Sequence, residues 1–129
     1  MDDADEIWNR ATRGGGNAPR EGDIALAASL AFHGLAMNGG VLHAFEVLSE
    51  EELSRARNGF VWLALPEVAR FMEDTAQQIG DTDMEDEDAA DALEESADDS
   101  YEHALPSDQA LEDAFRRQLA ERPEAFHPA

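Results

Sequence analysis

Histidines and carboxylates carry most of the chemistry that this sequence can offer. It has four histidines and thirty aspartates and glutamates, and no cysteine, so disulfides, thiolate metal sites and cysteine nucleophiles are excluded. His33 and His43 stand ten positions apart on either side of Asn38-Gly39-Gly40, a placement that suits buried or half-buried structural histidines. His43-Ala-Phe-Glu46 lacks the second histidine of a zinc-binding His-Glu-x-x-His helix, and His103 and His127 have no partners at metal-ligand spacing. Gly14-Gly15-Gly16 is not followed by the Gly-Lys-Ser/Thr of a phosphate loop.

The carboxylates are equally poor as catalysts or cation ligands when read by spacing. A general acid and base need two carboxyls in contrasting environments, which no spacing here defines. Asp81-Thr-Asp83-Met-Glu85 begins like a calcium-binding helix-loop-helix. It fails where the geometry is strictest: Asp86 stands at the glycine turn and Ala92 at the bidentate glutamate. No catalytic, cofactor-binding or metal-ligating residue is assigned, and a non-enzyme is expected.

What the acids can do together is a different matter. The formal net charge is −21, and all nine bases are arginine. Residues 1–80 hold thirteen acids and six arginines, whereas residues 81–102 hold twelve acids and no base. A chain so charged is repelled by nucleic acid and by anionic membranes, so its natural partners are cations or basic protein surfaces. Within 81–102, Ala90, Leu93, Ala97 and Tyr101 are spaced three, four and four apart. That spacing puts them on one side of a helix. Asp88, Asp91, Glu94, Glu95, Asp98, Asp99 and Glu102 then fall in an arc beside or opposite this stripe. The alternative for the segment is partial disorder, the usual state of like-charge blocks.

The elements around these residues all read as helices. Ile7, Trp8 and Ala11 mark a short first helix, ended by the Gly14–Gly16 loop, so residues 1–22 form an N-terminal helix and flexible connection. Residues 23–126 form the helical domain proper. Asp23 is placed to cap a helix whose residues 24–37 are apolar nearly all round, as in the buried centre of a bundle. Asn38 and Gly39 can take the left-handed conformation that ends it, and Gly40 lets the next helix start close by. Ser49 and Glu52 make a capping box, Pro66 suits a first helical turn, and a last helix runs from about Ser107 to Glu121. Arg116, Arg117 and Arg122 sit near its C-terminus, where the helix dipole favours positive charge. Trp8 and Trp62 are assigned to the core. The expected fold is all-α: one compact domain of six or seven helices, with 81–102 as an acidic helix or partly disordered segment. No stretch is long and apolar enough for a membrane span, and the acidic N-terminus does not look like an export signal, so the cytoplasm is expected.

An apolar helix, then Asn38-Gly39-Gly40, then a second helix with an aromatic at Phe45, resembles a bacterial helical domain named for a DNA-mimic protein. Asp99-Ser-Tyr101 resembles the acidic-plus-tyrosine segment of that family. Ala120-Glu-Arg-Pro-Glu-Ala-Phe126 is similar to its closing His-Pro-Glu-x-Phe element, with Arg122 in place of the histidine. The likeness covers about residues 23 to 126. One departure is local: the Tyr-Asn or Phe-Asn pair that often ends the helix after the glycines is replaced by Phe45-Glu-Val-Leu-Ser49.

The resemblance implies an all-helical acidic protein that occupies the DNA-binding face of a basic partner such as a transcriptional regulator. The expected partner surface is the arc from Asp88 to Glu102, with Asp2, Asp3, Asp5 and Glu6 as reinforcement, in a monomer or homodimer. The competing expectation is a helical domain whose acids serve solubility, with a small-ligand or peptide pocket beside the Asn-Gly-Gly corner.

Overall fold

The computed structural model describes residues 3–128. Among them seven α-helices and a terminal 3-10 turn form one all-α bundle without strands. In chain order these are α1 (Asp3–Ala11), α2 (Glu21–Gly39), α3 (Val41–Val47), α4 (Glu50–Trp62), α5 (Pro66–Asp81), α6 (Glu87–Ala104) and α7 (Asp108–Glu121), then Pro123–Ala125. No helix among the described residues is long and apolar enough to cross a membrane.

The central element is α2, as its all-round apolar character requires. Phe32 is fully buried at its middle, and three aromatic rings approach edge-on from three other helices. Phe45 of α3, Phe60 of α4 and Tyr101 of α6 have centroids 5.8, 6.1 and 5.7 Å away. Such edge-to-face pairs add about 0.5–1.5 kcal/mol each beyond the area they bury. Gly59 lets α4 lie against α2, since a Cβ there would stand 2.5 Å from the Ala25 carbonyl oxygen. Trp8 and Trp62 pack against this core, on Phe115 and Phe126 respectively.

Helix boundaries follow local chemistry, with two corrections. Ser49 and Glu52 close the capping box at the start of α4, and Pro66 opens α5. Hydrogen bonding to Ser49 holds the Glu52 carboxyl below the ordinary carboxylate range. Asp23, however, is not the cap of α2. The helix starts at Glu21, and Asp23 lies in its first turn, buried to 1% exposure. One of its oxygens accepts from Nη2 of Arg10 at 3.0 Å, and the other accepts the backbone amides of Arg20 (3.0 Å) and His127 (2.6 Å). The same Arg10 donates to the carbonyl of His127 at 2.7 Å. The carboxylate thereby ties α1, α2 and the C-terminal segment together, so the first helix belongs to the same core as residues 23–126.

The second correction is at the corner. Asn38 and Gly39 remain helical, and the turn is made by Gly40 alone, at φ 93° and ψ 163°. That region is essentially open only to glycine. Gly39 is needed for space, because a Cβ there would meet the His43 ring at 2.5 Å. His43 itself is exposed, unlike the buried or half-buried histidine expected. The α7 arginines also differ from expectation: Arg116 bonds Asp5 of α1 at 2.9 Å, and Arg122 stands over the Trp62 ring beyond the helix end.

Removing one partner of a buried ion pair leaves an uncompensated charge and costs about 3–5 kcal/mol. Asp23→Ala is therefore expected to lower the unfolding free energy by about that amount in urea titration, with Arg10 left without its carboxylate and the 123–128 segment released.

Candidate functional site

The acidic segment is a helix. Asp86 caps it by accepting the amides of Asp88 and Ala89 at 3.1 and 3.4 Å, and Asp83 accepts the amide of Glu85 in the preceding turn. These carboxylates serve the local turn, and among the described residues no three His, Asp or Glu side chains converge as metal ligands. The helix is ordered because its stripe is buried: Leu93, Ala97 and Tyr101 lie in the core and Ala90 is half-buried. Tyr101 packs against Phe71 of α5 with centroids 5.4 Å apart, as well as against Phe32.

Six of the seven carboxylates assigned to the partner surface are exposed: Asp88, Asp91, Glu94, Glu95, Asp99 and Glu102. The seventh, Asp98, is half-buried and turns toward the corner. Its Oδ1 accepts the Val41 amide at 2.8 Å, so it caps the start of α3 immediately after Gly40. A Cβ at Gly40 would lie 3.5 Å from carboxylate oxygens of both Asp98 and Glu94. The Asn38-Gly39-Gly40 triplet and the acidic arc, read separately in the sequence, are therefore neighbours in space. Of the proposed N-terminal reinforcement, Asp3, Asp5 and Glu6 lie in α1, with Asp5 paired to Arg116; Asp2 lies outside the described residues.

Arginines do not neutralise this helix. Arg10, Arg55, Arg57 and Arg116 make ion pairs with Asp23, Glu51, Glu73, Asp5 and Glu112. Among the described residues, none comes within ion-pair distance of a carboxylate in 81–102. Like charges three and four residues apart repel, and acids near a helix C-terminus oppose its dipole. Asp91, Glu95 and Asp99 form such a row, and Asp98, Asp99 and Glu102 stand in the last turns of α6.

Beneath the helix lies a feature that spacing did not reveal. His33, nearly fully buried in α2, has both ring nitrogens engaged: Nδ1 is 2.6 Å from the Tyr101 hydroxyl, and Nε2 is 2.6 Å from Oδ1 of Asp108. Burial, and then the charge of Asp108, push the Tyr101 phenol well above its ordinary range, so it stays protonated. These partners lie 68 and 75 positions from His33. A usable signal existed, since a tyrosine on an apolar stripe must bring its hydroxyl to a polar group, and His33 is the one histidine in the most apolar helix. Beside this trio a cavity of about 350 Å³ opens next to Gly40. His33, Tyr101, Asp98 and Glu102 are among its polar lining, and Ala36 and Leu105 among its apolar lining.

No protein-family model, curated protein or solved structure matches the chain.

Two outcomes follow from these contacts. Tyr101→Phe keeps the ring packing but strands His33 Nδ1, which is expected to cost about 1–3 kcal/mol in chemical denaturation with helical content retained. Replacing Asp91→Asn, Glu95→Gln and Asp99→Asn together removes a repulsive row. The thermal midpoint is expected to rise by a few degrees at low ionic strength and by much less in 1 M salt, where the screening length is about 3 Å.

Proposed function

We propose that this protein is a non-enzymatic acidic interaction protein, a DNA mimic that occupies the DNA-binding surface of a basic regulator. The observation that carries the proposal is the uncompensated row of carboxylates on an ordered, well-docked helix. An acid excess that served only solubility would have no reason to concentrate on one helix at the expense of its stability, while the arginines pair elsewhere. Proteins commonly retain such locally unfavourable features where function requires them. The resemblance of Asn38-Gly39-Gly40, Asp99-Ser-Tyr101 and the 120–126 element to the DNA-mimic family supports the same reading, as does the net charge of −21.

A duplex presents one phosphate about every 1.7 Å of axis with both strands counted, and helical neighbours at i, i+3 and i+4 stand roughly 5–6 Å apart. One helix is sparser than DNA, so α6 acts together with the acids of the 81–86 turn. A cytoplasmic location and a monomeric or homodimeric state belong to this proposal. A pocket reading is also supported, by the cavity beside Gly40.

The test is affinity capture from lysate at low and high salt, with the bound protein identified by mass spectrometry. The expected result is a basic DNA-binding protein retained at low salt, released at high salt and displaced by duplex DNA. Capture should be lost in a folded variant carrying Asp88→Asn, Asp91→Asn, Glu95→Gln and Asp99→Asn. Retention of the same protein by that variant would sink the proposal.

A further inference from the structure

The cavity beside Gly40 presents hydrogen-bond acceptors from groups held in place by the fold. Asp98 is fixed through Oδ1 on the Val41 amide, and its Oδ2 has no protein partner among the described residues; neither has the carboxylate of Glu102. The hydroxyl of Tyr101 is oriented by its neighbours. Its oxygen lies 2.6 Å from His33 Nδ1 and, whichever of the two donates, keeps a lone pair that can accept from elsewhere. Asp108 Oδ1 engages the other ring nitrogen of His33, Nε2, at 2.6 Å. No arginine lines the cavity.

The lining combines these acceptors with aliphatic surface, including Met37, which is 62% exposed. The volume, about 350 Å³, is near the lower end of ligand cavities, about 300–1,000 Å³. A small cation on an apolar stem suits this combination. A guanidinium suits it better than an ammonium, because its planar fork of donors matches carboxylates pairwise and is less strongly hydrated.

We propose that this cavity receives the guanidinium group of an arginine side chain from the basic partner. The assignment rests on the reading of α6 as a partner surface, and gives that surface a point of geometric selection beside its long-range charge. Exposed carboxylates attract any basic surface, whereas a cavity admits only an arginine presented at the right place.

The probe is Nα-acetyl-L-arginine methylamide, titrated into the isotope-labelled full chain and followed by backbone amide shifts. Saturable shifts are expected at Gly40, Val41 and Ser107, with none from Nα-acetyl-norleucine methylamide, which has a similar stem and no charge. Asp98→Asn combined with Glu102→Gln should weaken binding by about ten-fold or more. Asparagine can still accept the Val41 amide, and unchanged shifts elsewhere would verify that the corner is intact. Absence of saturable shifts, or shifts spread along Asp88–Asp99 and indifferent to the double variant, would overturn the assignment. So would binding of agmatine without binding of the blocked residue, which would make a free guanidine the ligand. Failure of this titration in a chain that still captures a DNA-binding protein overturns the cavity alone. Specific binding in a chain that captures none overturns the partner as the arginine's source.

Discussion

The hydrogen bond between Tyr101 and His33 joins the most charged helix of the molecule to its most apolar one. Helix α6 carries eight acids in eighteen residues and would repel itself open if left in water. Its apolar stripe is thin, made of two alanines, one leucine and one tyrosine, and the tyrosine is its largest side chain. Tyr101 packs on Phe32 and Phe71 at once, and burying it requires a partner for its hydroxyl. His33 provides that partner without adding another acid, and Asp108 of α7 takes the remaining nitrogen. The order of the acidic surface thus depends on a contact in the core that adds no further acid to it.

Much of the fold could be read from spacing. The interval pattern of Ala90, Leu93, Ala97 and Tyr101 anticipates a docked α6, and Ser49–Glu52 and Pro66 mark helix starts because caps depend on residues within one turn. Where the reading went astray, the deciding partner was distant. Asp23 looks like a cap by local rules, but its carboxylate answers to Arg10 and to His127, which lie 13 and 104 positions away. Asp98 belongs to the acidic arc by its place on the wheel, yet the Val41 amide, 57 positions off, turns it inward. The glycine corner is recognisable as a break, while which glycine makes the turn is not, since both lack a Cβ and only Gly40 takes the positive φ. Six of the seven surface acids could be placed from the helical wheel; the cavity and the His33 trio could not, because three helices build them.

Charge in this molecule is divided by role. Its arginines sit on α1, α4, α5 and α7 and in the segments flanking the helices, and several join elements, as Arg10, Arg57 and Arg116 do. The unpaired negative charge gathers at the edge formed by α6 and its preceding turn. Under the proposed function, a basic partner arriving by diffusion would be steered toward that edge before contact.

The coordination of Asp23 has a consequence for how the chain is made. A carboxylate within the first fifth of the sequence completes its hydrogen bonds only with the amide of His127 and with Arg10, itself bound to the His127 and Pro128 carbonyls. During synthesis the helices can form and collapse in order as they emerge. Until residue 127 has emerged, however, a buried charge in the first turn of α2 lacks one of its donors, and the aromatic seat of Phe126 on Trp62 and Phe115 is vacant. The native state is therefore closed by residues 126–128, and a nascent chain that has made all seven helices without them is still an unlatched one.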